Sequence, residues 1–93
     1  MNVPPATREL RDEIKALLIE ALDLRSKTPA DIADDVALFG GGLQLDSLDA
    51  LQLAVALEER YGVEVPEGDE GRRIFASVNA IAEHVAAARD RTR

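Results

Sequence analysis

The sequence predicts an all-α fold, a small four-helix bundle with three main helices, one short helix and a long loop between helices 1 and 2. Apolar residues recur at three- and four-residue steps in three segments, which is the period of an amphipathic helix. No segment alternates apolar and polar residues in the manner of a half-buried strand, and no internal repeat is present. At 93 residues we expect one domain, residues 1–93, with its core at about 7–89.

The first helix is expected over residues 7–24, with Thr7 as a suitable N-cap residue. The apolar positions share one face and are Leu10, Ile14, Leu17, Leu18, Ala21 and Leu22. The opposite side carries the charged residues Arg8, Arg11, Asp12, Lys15 and Asp23. The segment therefore predicts a helix that packs through one side.

Residues 25–45 have no sustained period, and both Pro29 and the run Gly40–Gly42 favour a loop. About 20 residues is long for a structureless connection, which suggests a function or a piece of helix inside it. Four apolar residues are expected to hold this loop against the core: Ile32, Val36, Leu38 and Phe39.

The second helix is expected from about Ser47 to Tyr61. Asp46 is a good N-cap residue, and Asp49 stands three residues later, as in a capping box with a shortened acid. Gly62 follows as the helix stop. Residues 69–75 are expected to form a short helical turn. Ser77 then caps the last helix, whose inward positions are Val78, Ile81, Val85 and Ala88.

The second helix carries two apolar stripes, so it needs two surfaces to pack against. The first stripe consists of Leu53, Ala54, Leu57 and Tyr61, and the second of Leu48, Leu51 and Val55. We expect the first stripe to face the core and the second to be partly exposed as a partner surface. The alternative is that helices 1 and 4 cover both stripes.

Acidic residues are concentrated in the middle of the chain. Between Thr28 and Gly71 there are eleven acids and a single base, Arg60, and the whole chain has a net charge of −7. Such a surface repels nucleic acid and attracts basic protein partners, unless it is only a solvated face that aids solubility. No apolar run is long enough to span a membrane, and the N-terminus does not read as a signal peptide. We therefore expect a cytoplasmic protein, and a monomer.

Ser47 is the strongest candidate for a chemically functional residue. It is the first residue of a helix and directly follows a long, glycine-bearing loop. Helix N-termini leave backbone N–H groups unpaired and carry partial positive charge, so a phosphate ester on this hydroxyl would be well tolerated. The alternative is that Ser47 is only a second capping residue, and position alone leaves the two interpretations equal.

Other sites find less support in the sequence. A serine hydrolase needs a base near Ser47, but the single histidine, His84, lies on the last helix, and no nucleophile elbow surrounds the serine. Three aspartates, Asp31, Asp34 and Asp35, lack the spacing of a calcium loop. We expect no catalytic residue and no metal site, and we expect Arg72 and Arg73 to be surface residues.

The segment Asp46-Ser47-Leu48, continued to Val63 through a leucine-rich helix that ends Glu-Glu-Arg-Tyr-Gly-Val, resembles the acyl carrier protein family. The resemblance is loose in the first helix, close in the second, and visible again at the start of the last helix. It implies that a phosphopantetheinyl transferase, using Mg²⁺, moves 4'-phosphopantetheine from coenzyme A onto Ser47. The arm then holds acyl groups as thioesters, and the protein itself catalyses nothing.

The resemblance also implies that acyl-loading, condensing and other biosynthetic enzymes dock on the second helix through basic patches. Family positions that meet such patches are occupied here by Asp46, Asp49, Glu58 and Glu59, and apolar contact positions by Leu48 and Val55. Gln52 belongs to the same face but stands where carriers for fatty-acid synthesis usually have glutamate. Gln52 and the Gly40–Gly42 run together favour a specialised carrier for a polyketide, aryl-polyene or modified-lipid pathway. The alternatives are an aminoacyl or peptidyl carrier, or an unmodified helical adaptor.

Overall fold

The computed structural model describes residues 7–24, 26–39, 45–66 and 68–91. For residues 89–91 it describes the backbone alone. The elements are α1 (Arg8–Ala21), a 3₁₀ turn (Pro29–Asp31), α2 (Ser47–Tyr61), α3 (Asp69–Ile74) and α4 (Val78–Arg91). The predicted all-α architecture with three long helices and a short one is confirmed. Within the described ranges, β pairing is limited to one isolated parallel bridge between Phe39 and Leu45.

Helix α1 starts where the sequence predicts, because the Thr7 hydroxyl oxygen accepts a hydrogen bond from the backbone N–H of Leu10 at 3.1 Å. The predicted end at residue 24 is wrong, since the helix stops at Ala21. Asp23 adopts a left-handed backbone conformation with φ of 55°, and the N–H of Leu24 turns back to the carbonyl of Ile19 at 2.9 Å. This is the six-to-one hydrogen bond of a Schellman motif, with aspartate in the position that glycine usually holds.

The charged side of α1 is partly covered, which the sequence pattern did not indicate. Lys15 is buried, and its Nζ lies 2.6 Å from Oδ1 of Asp34 in the loop that follows the 3₁₀ turn. The Nε of Arg11 lies 3.2 Å from the other oxygen of the same carboxylate. The backbone carbonyl of Asp34 accepts from the N–H of Asn79 in the first turn of α4 at 2.9 Å. Asp34 therefore ties the loop to both α1 and α4.

The connection between α1 and α2 is held by local and core contacts. A capping box joins Thr28 and Asp31 across the 3₁₀ turn, which confirms a piece of helix inside the loop. Ile32 and Leu38 are fully buried, and the N–H of Leu38 donates to the carbonyl of Ala76 at 3.3 Å. Val36 and Phe39 are partly buried against the core, as expected. The Gly40–Gly42 run lies outside the described residues.

The core lies between one face of each long helix, with α1 in contact with both α2 and α4. The largest fully buried side chains are Ile14, Leu18, Ile32, Leu38, Leu53, Leu57, Ile81, Val78 and Val85. Full burial of an aliphatic side chain of this size contributes about 1.5–3 kcal/mol relative to exposure. The predicted inward face of α4 is confirmed, although Ala88 is only partly buried.

Helix α3 packs against α4 and approaches the preceding segment very closely. Gly71 is buried in its middle, and a Cβ atom at this position would overlap the backbone carbonyl oxygen of Pro66. Only glycine allows this approach. Ser77 then caps α4 as predicted, since its hydroxyl oxygen accepts from the N–H of Ala80 at 3.2 Å.

Candidate functional site

Ser47 is the first residue of α2, and its side chain is exposed. The N-cap is Asp46, whose Oδ1 accepts from the backbone N–H of Asp49 at 2.9 Å. Asp49 reciprocates, because its Oδ2 accepts from the N–H of Asp46 at 3.1 Å. This capping box, made of two aspartates, satisfies the cap without Ser47. Within the described part of the chain the Ser47 hydroxyl has no hydrogen-bond partner, so it is accessible for chemistry.

The electrostatics at this helix end act in two directions. The first N–H groups of a helix have no intrahelical acceptor, and together they carry a partial positive charge. An anionic group on the Ser47 hydroxyl would gain from this field, by about 0.3–1 kcal/mol at an exposed helix end. The negative charges of Asp46 and Asp49 lie at the same helix end and offset some of that gain. The helix end thus accepts an anion but does not hold one by charge alone.

The two stripes of α2 lie as the sequence predicts. In the first stripe Leu53 and Leu57 are completely buried. In the second, Leu48 is 63% exposed, Leu51 62% and Val55 47%. The alternative in which α1 and α4 cover both stripes is therefore wrong.

Polar residues surround the exposed apolar stripe. Asp46, Gln52, Glu58 and Glu59 are exposed, and Asp49 is half-buried. Asp49, Gln52, Glu58 and Glu59 all lie on α2, which is one continuous helix from Ser47 to Tyr61, and Asp46 is its N-cap. The structure thus brings the candidate partner residues and the serine onto the same helix, with an apolar centre and an acidic rim.

A cleft of about 1200 Å³ opens beside Ser47, between α2 on one side and α3 with the segment before it on the other. Its lining residues are Ala37, Phe39, Leu45, Asp46, Ser47, Ala50, Leu51, Ala54, Val55, Glu58, Glu64, Val65, Pro66, Gly68, Gly71, Arg72, Phe75 and Ala76. The two alanines on the α2 wall, Ala50 and Ala54, are small and leave the space open. Most of the lining is apolar, so the cleft can shelter an apolar group that is tethered at its edge.

Sequence reasoning missed the α3 side of this cleft. Arg72 was expected to be a surface residue, and it is exposed, but it also lines the cleft that contains Ser47. Gly71 could have indicated this wall from the sequence, because a glycine inside a short helix often marks a close backbone approach. That approach fixes the α3 wall against Pro66.

His84 is separated from Ser47 by its place in the fold. Its Nε2 lies 2.8 Å from the backbone carbonyl of Glu64, and it lines a different hollow of about 430 Å³ with Glu70, Arg73 and Glu83. The two residues line different depressions, so the histidine is not placed as a base for the serine. Among the residues that the structure describes, no group of histidine and acidic side chains is arranged to hold a metal ion. In the same part of the chain, no helix has the length and apolar character needed to cross a membrane.

Comparison with known proteins agrees with this geometry. The family described as "phosphopantetheine attachment site" matches residues 12–85, a range that includes Ser47. An acyl carrier protein of a Picosynechococcus species is 30% identical over 82 residues, covering 86% of this chain and 96% of that protein. One from a Sulfurovum species is 33% identical over 72 residues, covering 77% and 89%. One from Wolinella succinogenes is 31% identical over 74 residues, covering 80% and 90%.

Proposed function

Because this chain belongs to the phosphopantetheine-attachment family of acyl carrier proteins, we propose that it tethers acyl intermediates as thioesters on an arm at Ser47 and presents them to biosynthetic enzymes. The observation that carries the proposal is the exposed Ser47 hydroxyl, free of any capping role, at the edge of a mostly apolar cleft. The cofactor of this family is 4'-phosphopantetheine.

The residues present fit that cofactor. In the loading reaction the Ser47 oxygen forms a bond to the phosphorus of coenzyme A that bears the pantetheine. The bond from that phosphorus to the oxygen that bridges the two phosphates breaks, and adenosine 3',5'-bisphosphate leaves. The hydroxyl proton leaves to a base of the transferase, since His84 is not placed to take it. When bound, the cofactor supplies a thiol for thioester formation, which the protein itself lacks because it has no cysteine. The chain's own contribution is to expose the hydroxyl at a helix end that tolerates the phosphate.

The cleft beside Ser47 supports a sheltering role. An acyl chain that enters it exchanges water for apolar walls, including Ala54, Val65 and Phe75. Each methylene group that becomes buried contributes about 0.8 kcal/mol at most. The gain therefore grows with each carbon that becomes buried.

The exposed side of α2 supports docking by partner enzymes. Leu48, Leu51 and Val55 offer an apolar patch that no described element covers. Asp46, Asp49, Glu58 and Glu59 would meet basic patches on the partner, and such charge pairs mainly raise the rate of encounter. Gln52 makes the centre of this face neutral, which supports partners of a specialised polyketide or modified-lipid pathway. Because the relatives above are acyl carrier proteins, they give no support to an amino acid as cargo.

Intact-protein mass spectrometry tests the proposal directly. The purified chain is incubated with coenzyme A, Mg²⁺ and a transferase of broad specificity, and its mass is measured. We expect one phosphopantetheine on the wild type and on Ser26→Ala, and none on Ser47→Ala. Ser26 is a matched control because it is also an exposed serine outside the helical core. A folded wild type that gains no mass would leave an unmodified helical adaptor as the better interpretation.

A further inference from the structure

Residues 63–66 and 68–75 belong to a strap that includes α3 and joins the end of α2 to the start of α4. Both ends of the strap are anchored, because Val63, Ile74 and Phe75 are buried. Between these anchors most positions are exposed, including Glu64, Pro66 and residues 68–70. The middle of the strap therefore has little buried surface to hold it in place, which is typical of segments that open locally.

A histidine of α4 supports this middle part. The Nε2 of His84 lies 2.8 Å from the backbone carbonyl oxygen of Glu64. A carbonyl oxygen only accepts hydrogen bonds, so Nε2 carries the hydrogen and donates it. The next residue, Val85, is completely buried, so the core fixes the backbone of α4 at this point. His84 therefore ties a mostly exposed segment to a helix that is held firmly.

The hydrogen bond from His84 acts on α3 as well as on Glu64. Two residues after Glu64, the carbonyl oxygen of Pro66 lies so close to Gly71 that a Cβ atom there would overlap it. Pro66 and Gly71 both line the Ser47 cleft. Because this contact couples the segment before α3 to α3 itself, a displacement of Glu64 also moves that wall of the cleft.

Two glycines lie where such a displacement requires the backbone to turn. Gly62 precedes the strap with φ of 68°, and Gly68 lies within it with φ of 81°. Among the described residues, a Cβ atom at either position would meet nothing within 4 Å, so there is open space beside each backbone. Glycine adopts both signs of φ without steric cost, and hinge motions are absorbed by a few residues at the ends of elements. These glycines can therefore serve as hinges.

We propose that His84 is a positioning residue that clasps the strap to α4, and that loss of this hydrogen bond lets the strap swing out on Gly62 and Gly68 while the rest of the core stays folded. The clasp then determines how often the α3 wall moves away from α2 and the cleft between them widens. The inference goes beyond the proposed function, because the motion belongs to the bare chain and needs no arm at Ser47.

The absence of cysteine from the chain allows the use of a single reporter thiol. Val65 lies next to the clasped residue and is partly buried against the core, so the thiol of Val65→Cys becomes accessible when the strap swings out. Leu48→Cys is the control, because Leu48 is 63% exposed and does not line the cleft. Each reporter is combined with the native His84, with His84→Leu and with His84→Gln. Glutamine keeps an N–H donor at the same number of bonds from Cβ, whereas leucine has no donor.

Alkylation by iodoacetamide is followed by intact mass on the unmodified full chain, without urea and in urea well below the unfolding transition. With Val65→Cys we expect His84→Leu to react about 2–10-fold faster than the native histidine, which is the effect of losing one partly exposed hydrogen bond. We expect His84→Gln to restore the rate to within about 2-fold. Leu48→Cys should react at one rate in all three backgrounds. The rate of Val65→Cys should rise only weakly with urea, since the swing exposes far less surface than unfolding does.

Three results would overturn the inference. One is a Val65→Cys rate that His84→Leu leaves unchanged, or raises no more than it raises the rate of Leu48→Cys. Another is a His84→Gln protein that reacts as fast as His84→Leu, because packing of the ring would then hold the segment. The last is a Val65→Cys rate that rises with urea as steeply as global unfolding, which would mean that the strap opens only when the core does. This last comparison needs only the native His84, so it decides the matter even if His84→Leu fails to fold.

Discussion

Replacing Leu53 with alanine removes a side chain that is completely buried between α2 and the rest of the core. A leucine-to-alanine change at such a position costs about 2–5 kcal/mol, from lost transfer free energy and the cavity that remains. In a domain of this size 1 kcal/mol corresponds to about 4–8 °C in the melting temperature. The melting temperature of Leu53→Ala should therefore lie at least about 8 °C below that of the wild type. The loss of about 2–5 kcal/mol is a large share of a typical free energy of unfolding of about 5–15 kcal/mol.

The chain offers a close control for this change. Leu51 lies two residues earlier on the same helix and is 62% exposed, so Leu51→Ala should change stability by about 0.5 kcal/mol or less. Thermal and urea unfolding followed by circular dichroism would measure both variants against the wild type. Equal losses in the two variants, or a greater loss in Leu51→Ala, would refute the assignment of the two stripes on α2.

Other predictions concern the docking face of α2, the close approach of α3 to Pro66, and the loss of stability at acidic pH. Glu59→Lys reverses an exposed charge on the docking face, so transferase loading should slow and depend less on salt, measured as initial rates by mass spectrometry; rates that match the wild type would make the acidic surface incidental. Gly71→Ala should lower the melting temperature, because the added Cβ overlaps the Pro66 carbonyl oxygen and α3 must shift; an unchanged melt would contradict that approach. The hydrogen bond from Lys15 lowers the pKa of Asp34 from its ordinary 3.8. The wild type should therefore be more stable than Asp34→Asn. The full difference in unfolding free energy should be present above pH 3.8 and be lost as the pH falls through the lowered pKa of Asp34. A difference that grows toward acidic pH would contradict this expectation.

The elements that local chemistry determines were predictable from the sequence. Helix α2 begins and ends as expected because Asp46 and Asp49 form the capping box and Gly62 takes a left-handed conformation with φ of 68°. The end of α1 was not predictable in the same way. Asp23 holds the left-handed position there, and its preference for that conformation is much weaker than that of glycine.

The features that the sequence did not reveal depend on residues that are distant along the chain. Lys15 stands on the charged side of α1 and is buried only because Asp34, in a loop beyond the next turn, folds over it. The cleft arises where Ala50 and Ala54 of α2 face a wall of α3. Arg72 and Arg73 are neighbours of the same type, and only the packing of α3 separates the one that lines the cleft from the one that does not.

Peptide mapping after loading addresses the central point most directly, namely which atom of the chain carries the arm. Cleavage after Lys27 and Arg60 releases residues 28–60, in which Ser47 is the single serine, while Ser26 and Ser77 fall in other peptides. We expect phosphopantetheine on residues 28–60 alone, with fragment ions that assign it to Ser47. Modification of either other serine, or an unmodified 28–60 peptide from a folded and fully incubated chain, would contradict the account.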